Sequence, residues 1–168
     1  MKPYKAILTH LPQQGRLEWI GLRSARRAEV QRVEQVEVIE GLGLAGDHHS
    51  KQKPNPANKR QVTLIQAEHL PVIASLVHSD LQDAALVRRN LLVSGINLHA
   101  LKDRLFYVGE ALLEGTGFCH PCTRMEEALG AGGLNAMRGH GGITARVIKG
   151  GFIRLGASIR VANEEDTQ

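Results

Sequence analysis

Residues 144–155 have the sequence TARVIKGGFIRL, in which two runs of largely aliphatic residues flank a pair of glycines. The runs Thr144-Ala145-Arg146-Val147-Ile148 and Phe152-Ile153-Arg154-Leu155 are typical of short strands. Gly150-Gly151 between them has the composition of a two-residue hairpin turn. We therefore predict a β-hairpin near the end of the chain, and Ile159-Arg160-Val161 adds a closing strand.

Similar strand patterns occur towards the N-terminus. The segments with alternating or continuous apolar residues at strand length are 16–23, 33–39, 61–65 and the pair around Gly109-Glu110 in 105–113. Helical patterns are limited to residues 66–77, where apolar residues fall on one face, and residues 121–129. Many short strands and few helices predict a mainly β protein, folded as a closed or nearly closed barrel with a few short helices.

Composition restricts the classes of protein that fit this chain. Its 168 residues suit a single domain over residues 1–168, with a core over about 15–162. No apolar run reaches the roughly 18 residues that span a bilayer, and the N-terminus lacks a signal-peptide core, so we expect a cytoplasmic protein without membrane contact. A net charge of +4 and six aromatic residues argue against nucleic-acid binding but suit a small anionic ligand.

A glycine-rich segment, residues 41–46, matches the dinucleotide-binding pattern G-x-G-x-x-G. That site needs a helix directly after the glycines, because the helix N-terminus meets the pyrophosphate. Here Asp47-His48-His49 and a polar, proline-bearing loop follow instead. We therefore interpret the glycines as a turn that delivers Asp47 and His48 to a site.

The segment Cys119-His120-Pro121-Cys122 is the most concentrated chemical feature of the sequence. Proline suits the first position of a helix, which puts Cys122 at the second position, near free backbone N–H groups and Arg124. Four interpretations remain: two buried small residues, a zinc site completed by histidines, a thioredoxin-like redox pair, or a cysteine that binds a cofactor or carries sulfur. The basic surroundings favour the last of these.

Those basic surroundings lie at Arg60, in Arg88-Arg89-Asn90 and around His140. Because neighbouring residues of an extended segment point to opposite faces, at most one of Arg88 and Arg89 needs to face a site. The segment lies between apolar runs, and a partly buried guanidinium usually has an anionic partner such as phosphate. The glycines around His140 form a loop whose N–H groups suit an anion as well.

Taken together, these motifs resemble the MOSC family, named for the C-terminal domain of molybdenum cofactor sulfurases. The matching segments, in chain order, are Gly43-Leu44-Ala45-Gly46-Asp47-His48, Arg60-Gln61-Val62-Thr63-Leu64-Ile65 with Glu68, Arg88-Arg89-Asn90-Leu91-Leu92-Val93-Ser94-Gly95, Gly109-Glu110-Ala111, Cys119-His120-Pro121-Cys122 and Gly141-Gly142-Ile143. The family often has Gly-Asp-Arg-His where this chain has Gly46-Asp47-His48-His49, so either histidine is expected to face the site.

The resemblance implies a MOSC-type β-barrel with a pocket for the molybdenum cofactor, or for sulfur delivered to it, around Cys122. Short bacterial members of the family look like reductases of N-hydroxylated compounds. The pyridoxal-phosphate domain of the large sulfurases is lacking here, so pyridoxal phosphate is not expected. An external electron-donor protein, or a sulfur donor, is the expected partner, because no flavin or iron–sulfur motif is present.

On this resemblance we expect a molybdenum-dependent reductase of N-hydroxylated small molecules. Cys122 would ligate the metal, while Asp47 and His48 would orient ligands or move protons. The residues expected to hold the cofactor are Arg60, Arg88, Arg89, Asn90, Arg124 and His140. The alternative is a non-catalytic carrier of sulfur or cofactor through a persulfide on Cys122, and a zinc-bound structural module is a third, more distant class.

Overall fold

A computed structural model describes residues 1–78, 80–81 and 83–167 of the chain. These residues form eleven strands and four α-helices, with several 3-10 turns. The elements are α1 (Tyr4–Thr9), β1 (Gly15–Leu22), β2 (Gln31–Val33), β3 (Gln35–Ile39), β4 (Gly43–Leu44), β5 (Val62–Gln66), α2 (His69–Val77), β6 (Leu91–Ser94), β7 (Leu105–Val108), β8 (Ala111–Phe118), α3 (Thr123–Leu129), α4 (Gly133–Met137), β9 (Ile143–Lys149), β10 (Gly151–Arg154) and β11 (Ser158–Val161).

Seven of these strands form a closed barrel, as the strand patterns predict. Their order is β11-β7-β8-β9-β5-β6-β1, and the barrel closes where β1 pairs with β11, opposing Gly15 to Ile159. Neighbouring strands are antiparallel except for β5 and β6, which are parallel, with Leu64 opposite Leu91. The predicted hairpin around Gly109 is present as the β7–β8 pair. The mainly β class is therefore confirmed.

The C-terminal hairpin predicted from residues 144–155 is wrong in its pairing, although both strands exist. Strand β9 pairs with β5 and β8 in the barrel, whereas β10 leaves the barrel and pairs antiparallel with β3 in a small sheet β10-β3-β4. A Cβ at Gly150 would lie 2.5 Å from the carbonyl oxygen of Val38. Gly150 therefore lets the chain pass close to β3 as it crosses between the two sheets.

The strand expected over residues 33–39 is divided in two. Its first part belongs to β2, which pairs with β1, and its second part forms β3 in the small sheet. Glu34 lies between the two strands, and its carbonyl accepts a hydrogen bond from Leu155 N at 2.9 Å. An alternating pattern continues through this break, so the sequence does not reveal that the chain changes sheets here.

Two packed apolar regions support the fold. The barrel interior contains fully buried side chains such as Leu17, Leu64, Phe106 and Leu113. A second region lies outside the barrel, where Ile65 of β5 packs with residues of the three later helices, Ile73, Met125 and Met137. This outer packing holds the start of α3 against the segment that precedes β6. None of the helices among the described residues is long and apolar enough to cross a membrane.

Candidate functional site

The glycine-rich segment that follows β3 delivers an aspartate and two histidines to one place. Gly46 has a φ of +82°, which favours glycine, and Asp47 follows it as the N-cap of a 3-10 helix over His48–Lys51. The Asp47 side chain accepts a hydrogen bond from His49 N, so the same residue closes the glycine-rich turn and caps the 3-10 helix that follows. The interpretation of these glycines as a turn, rather than a dinucleotide site, agrees with this geometry.

Asp47 is a buried carboxylate with a full set of donors. Its Oδ1 accepts from Arg23 N at 2.9 Å and from Asn90 Nδ2 at 3.2 Å, and its Oδ2 lies 2.9 Å from Nδ1 of His49. Burial alone would raise the pKa of Asp47, but the hydrogen bonds from His49 and from the N–H of Arg23 outweigh it and hold the pKa at about 2. Asp47 is therefore a permanent anion, 1% exposed, that lies behind the site rather than on its surface.

Asn90 fixes Asp47 from the other side. Its Oδ1 accepts from the backbone N–H of Thr63 at 3.0 Å, and its Nδ2 donates to the carbonyl of Gly21 and to Asp47. These bonds join β1, β5 and the start of β6, and they use the amide of a side chain that is fully buried. The structure thus brings Asn90 to Asp47 and does not bring it to an accessible surface.

His48 and His49 both reach the accessible surface of the site, and their rings lie 3.9 Å apart between centroids. Because Asp47 is ionised and cannot donate, Nδ1 of His49 carries the proton in their shared hydrogen bond. Burial and the neighbouring His49 lower the pKa of His48 to about 4, although Asp47 opposes this shift. His48 is therefore neutral near pH 7.

A cavity of about 550 Å³ opens beside these histidines, and its wall is strongly cationic. Seven arginines line it, from four separate segments of the chain: Arg23, Arg26, Arg27, Arg60, Arg88, Arg89 and Arg124. His48, His49, His120, Cys122, Thr123 and Met125 complete the lining, which contains no carboxylate in the described part of the chain. A cavity wall with so many cations favours an anionic ligand.

Arg88 and Arg89 both line this cavity, contrary to the expectation that only one of them need do so. The expectation assumed an extended segment, but Arg88 has a φ of +54° and ends a 3-10 helix, which changes the direction of its side chain. Arg88 donates to the carbonyl of Ala28 at 3.1 Å, while its buried Nε has no partner among the described residues.

Arg89 is a buried cation without a buried anion. It is 5% exposed, and its guanidinium donates only to backbone carbonyls, those of Gly141 at 2.9 Å, Val87 at 2.9 Å and Cys119 at 3.3 Å. Burial lowers the pKa of Arg89, and it also lowers the pKa of Arg23 nearby. Among the described residues, none of the seven arginines forms an ion pair with a carboxylate.

The two cysteines occupy different environments. Cys122 is exposed and lines the cavity, whereas Cys119 is buried and contributes its carbonyl to Arg89. The predicted position of Cys122 within the helix is wrong by two residues, because α3 begins at Thr123 and Cys122 is the extended N-cap residue. Pro121 therefore precedes the helix, and the thiol reaches the cavity from the connection between β8 and α3.

The structure gathers most of the predicted site residues but places one elsewhere. Arg60 and Arg124 line the cavity with Cys122, while His140 lies in a separate group with His69. The sequence analysis missed Arg23, Arg26 and Arg27, which follow β1. Their signal was present as three arginines within five residues directly after a strand.

The depressed pKa of His48 predicts acid sensitivity in a defined range. Its pKa in the folded protein, about 4, lies below the ordinary 6.5, so the stabilisation it brings is complete above pH 6.5 and is lost as the pH falls towards 4. The ring is 18% exposed, so we expect solvent to limit the loss to about 2 kcal/mol. Urea unfolding between pH 4 and 7 measures it, and His48→Gln should flatten the profile while His10→Gln, an exposed control, should not.

The chain is thus a closed-barrel protein, and its cationic cavity, with an accessible thiol in the wall, is a candidate site for an anionic ligand. The model of the MOSC domain family matches residues 46–160, and the chain belongs to this family. The membership predicted from the motifs is thereby confirmed. No curated protein matches the chain in sequence.

Solved structures agree on the fold. The YUAD protein from Bacillus subtilis superposes with a TM-score of 0.76 at 19% identity, covering 90% of this chain and 98% of its own. YiiM from Geobacillus stearothermophilus gives 0.71 at 15% identity over 89% of this chain and 75% of its own. YiiM from Escherichia coli gives 0.68 at 18% identity over 89% and 70% respectively. At these identities the likeness establishes the shared fold.

Proposed function

We propose that this chain binds the molybdenum cofactor in the arginine-lined cavity and uses it to reduce N-hydroxylated compounds. One observation carries the proposal: seven arginines and one accessible cysteine sulfur line the same cavity. The cofactor combines a phosphate, a dithiolene group and a metal that accepts thiolate ligands, so its chemistry matches both parts of this wall. Molybdenum cofactor binding is also associated with the MOSC family.

The residues present fit such a group. Arg88 has a buried Nε without a partner among the described residues, and Arg89 has only carbonyl acceptors. A phosphate or dithiolene anion would supply the missing negative charge, and the planar guanidinium suits the oxygens of a phosphate. Cys122 is positioned at the same wall to donate its sulfur to the metal.

In this proposal each residue has a defined task. The arginines hold the anionic groups, Cys122 ligates the metal, and the bound cofactor supplies the two-electron removal of oxygen from the substrate. The overall change is R–NHOH with two electrons and two protons giving R–NH₂ and water. The electrons come from an external donor protein, because the sequence has no flavin or iron–sulfur motif.

The two histidines of the cavity wall have defined roles as proton or hydrogen-bond acceptors. Asp47 holds a proton on Nδ1 of His49, so that Nε2 of His49 is left as an acceptor. His48 is neutral near pH 7 because its pKa is about 4. It is therefore better suited to accept a hydrogen bond than to act as a cationic proton donor. Asp47 and Asn90 act from behind, by fixing the turn that carries both histidines.

A second candidate function rests on the exposure of Cys122. Its thiolate can attack the outer sulfur of a persulfide on a donor protein, so that this sulfur is carried on Cys122 as a persulfide and the donor cysteine leaves as a thiolate. The two functions use the same residue but leave different products. A carrier gains one sulfur on Cys122 after incubation with a cysteine desulfurase, which mass spectrometry detects, whereas a reductase consumes an N-hydroxylated substrate.

The experiment that tests the proposal is expression in a host that makes the cofactor, followed by measurement of molybdenum, pterin and hydroxylamine reduction with a chemical electron donor. We expect about one molybdenum and one pterin per chain. Arg60→Gln should lower the affinity for the cofactor about tenfold, because it removes one charge-assisted contact. Arg154→Gln removes another exposed arginine, in β10, which does not line the cavity, and should change nothing.

Protein from that host with neither molybdenum nor pterin would contradict the proposal, and so would equal loading of the Arg60→Gln and wild-type chains. Loaded protein that reduces no N-hydroxylated compound, but gains sulfur on Cys122, would support the carrier instead. The Arg60 side chain makes no hydrogen bond to the described residues, so a folding defect does not obscure this comparison.

A further inference from the structure

Three histidines from distant parts of the chain meet away from the cationic cavity. His69 is the first residue of α2, His99 lies in a 3-10 helix over Leu98–Leu101, and His140 lies between α4 and β9. The ring centroids of His69 and His140 are 5.2 Å apart, and those of His69 and His99 are 6.3 Å apart. We call these three residues the histidine cluster.

Two ring nitrogens of the histidine cluster are buried without a partner. Nδ1 of His69 and Nδ1 of His140 have no hydrogen bond to any described residue. Burying a polar atom in this way is costly, so native structures usually provide a hydrogen bond, a water or an ion.

We propose that the histidine cluster is a binding site for a divalent transition metal ion, with zinc as the metal that suits it. Two imidazoles on one tetrahedral zinc, with Zn–N bonds of roughly 2.0–2.1 Å, have ring centroids roughly 5 Å apart. The His69–His140 pair already has this spacing. His99 is the farther ring, 6.3 Å from His69, so its side chain must move closer to the other two rings to complete the site as the third ligand.

The surroundings of the cluster suit a cation better than the other candidate set does. Glu68, an acidic residue, directly precedes His69, whereas the set Asp47, His48 and His49, whose ligand atoms lie within 4.8 Å of one another, adjoins a cavity lined by seven arginines. Zinc at the cluster would join α2, the 3-10 helix and the connection to β9. The fourth coordination position is left for water.

The test uses the full chain without a histidine tag, stripped with EDTA and titrated with Zn²⁺, and with Co²⁺ for its visible spectrum. We expect one equivalent of Zn²⁺, a higher melting temperature in its presence, and a tetrahedral Co²⁺ spectrum without a thiolate charge-transfer band. His140→Ala and His99→Ala should each weaken Zn²⁺ binding at least about 100-fold and remove the thermal shift, because each deletes a ligand. His10→Ala, an exposed histidine, should bind as the wild type does.

Two results would overturn the site. The first is a wild-type chain whose melting temperature and metal content do not respond to micromolar Zn²⁺. The second is binding that persists in both ligand variants but disappears in Cys122→Ala or His49→Ala, which would assign the metal to the cavity. Circular dichroism of the metal-free variants separates loss of a ligand from loss of the fold, since His99 lies only partly buried and its truncation leaves the core residues in place. None of these readouts depends on molybdenum.

Discussion

Replacing Cys122 with alanine is expected to lower molybdenum retention at least about 100-fold and to abolish the reduction of hydroxylamines. Second-sphere partners of metal ligands already contribute 10–100-fold to affinity, so a direct ligand should contribute no less. Cys122 is exposed, has no side-chain hydrogen bond in the described structure, and only caps a short helix. We therefore expect the unfolding free energy to change by less than about 0.5 kcal/mol.

The matched control for this variant is Cys119→Ala. Cys119 contributes its backbone carbonyl to Arg89, and alanine keeps that carbonyl. Its buried side chain is lost, so stability should fall by about 1 kcal/mol while molybdenum content stays at the wild-type level. Metal analysis and unfolding curves on the three proteins measure both quantities. Normal molybdenum content in Cys122→Ala would contradict the assignment of this sulfur as the ligand, and parallel loss in both variants would assign the effect to folding.

The Asp47→Asn substitution is expected to destabilise the protein by about 3 kcal/mol. Both carboxylate oxygens face donors, Oδ1 facing Arg23 N and Asn90 Nδ2, and Oδ2 facing two groups of His49. An asparagine can turn its oxygen to only one side, so its NH₂ meets donors on the other. Leaving buried donors unpaired costs about 1–3 kcal/mol each, and the charge assistance is lost as well.

Asp103→Asn is the control for the chemistry of the change. Asp103 is exposed and has a φ of +60°, a conformation that asparagine accepts, so we expect a change of less than about 0.5 kcal/mol. Urea denaturation at pH 7 measures the difference between the two variants. A loss below about 1 kcal/mol for Asp47→Asn would mean that the Asp47 network does not hold the turn between β4 and the 3-10 helix.

The sequence predicts the class of fold because alternation along a strand reports which face is buried. It fails where the partner of a strand is distant. Gly150-Gly151 has the composition of a hairpin turn, but the physical reason for Gly150 is the backbone of β3, which belongs to a segment more than a hundred residues earlier. Local turn signals carry no information about such a neighbour, and for the same reason the change of sheet at Glu34 is invisible.

For the candidate site, too, the sequence predicts some features and not others. Residue chemistry picks out Cys122, Arg60 and Arg124, and the structure brings them to one cavity. The left-handed conformation of Arg88 is not encoded in any local signal for a non-glycine residue, so the orientation of the pair could not be predicted. Asp47 and Asn90 have the polarity of site residues, yet each lies in a layer behind the surface.

The burial of Arg89 among carbonyl groups has a consequence for the life of the empty protein. A cation held away from water without a counter-ion favours unfolding, and an anion that enters the cavity relieves this cost. Ligand supply therefore acts on the folding equilibrium as well as on occupancy. On the proposed function, chains without the ligand would spend more time unfolded and exposed to proteases than chains that hold it.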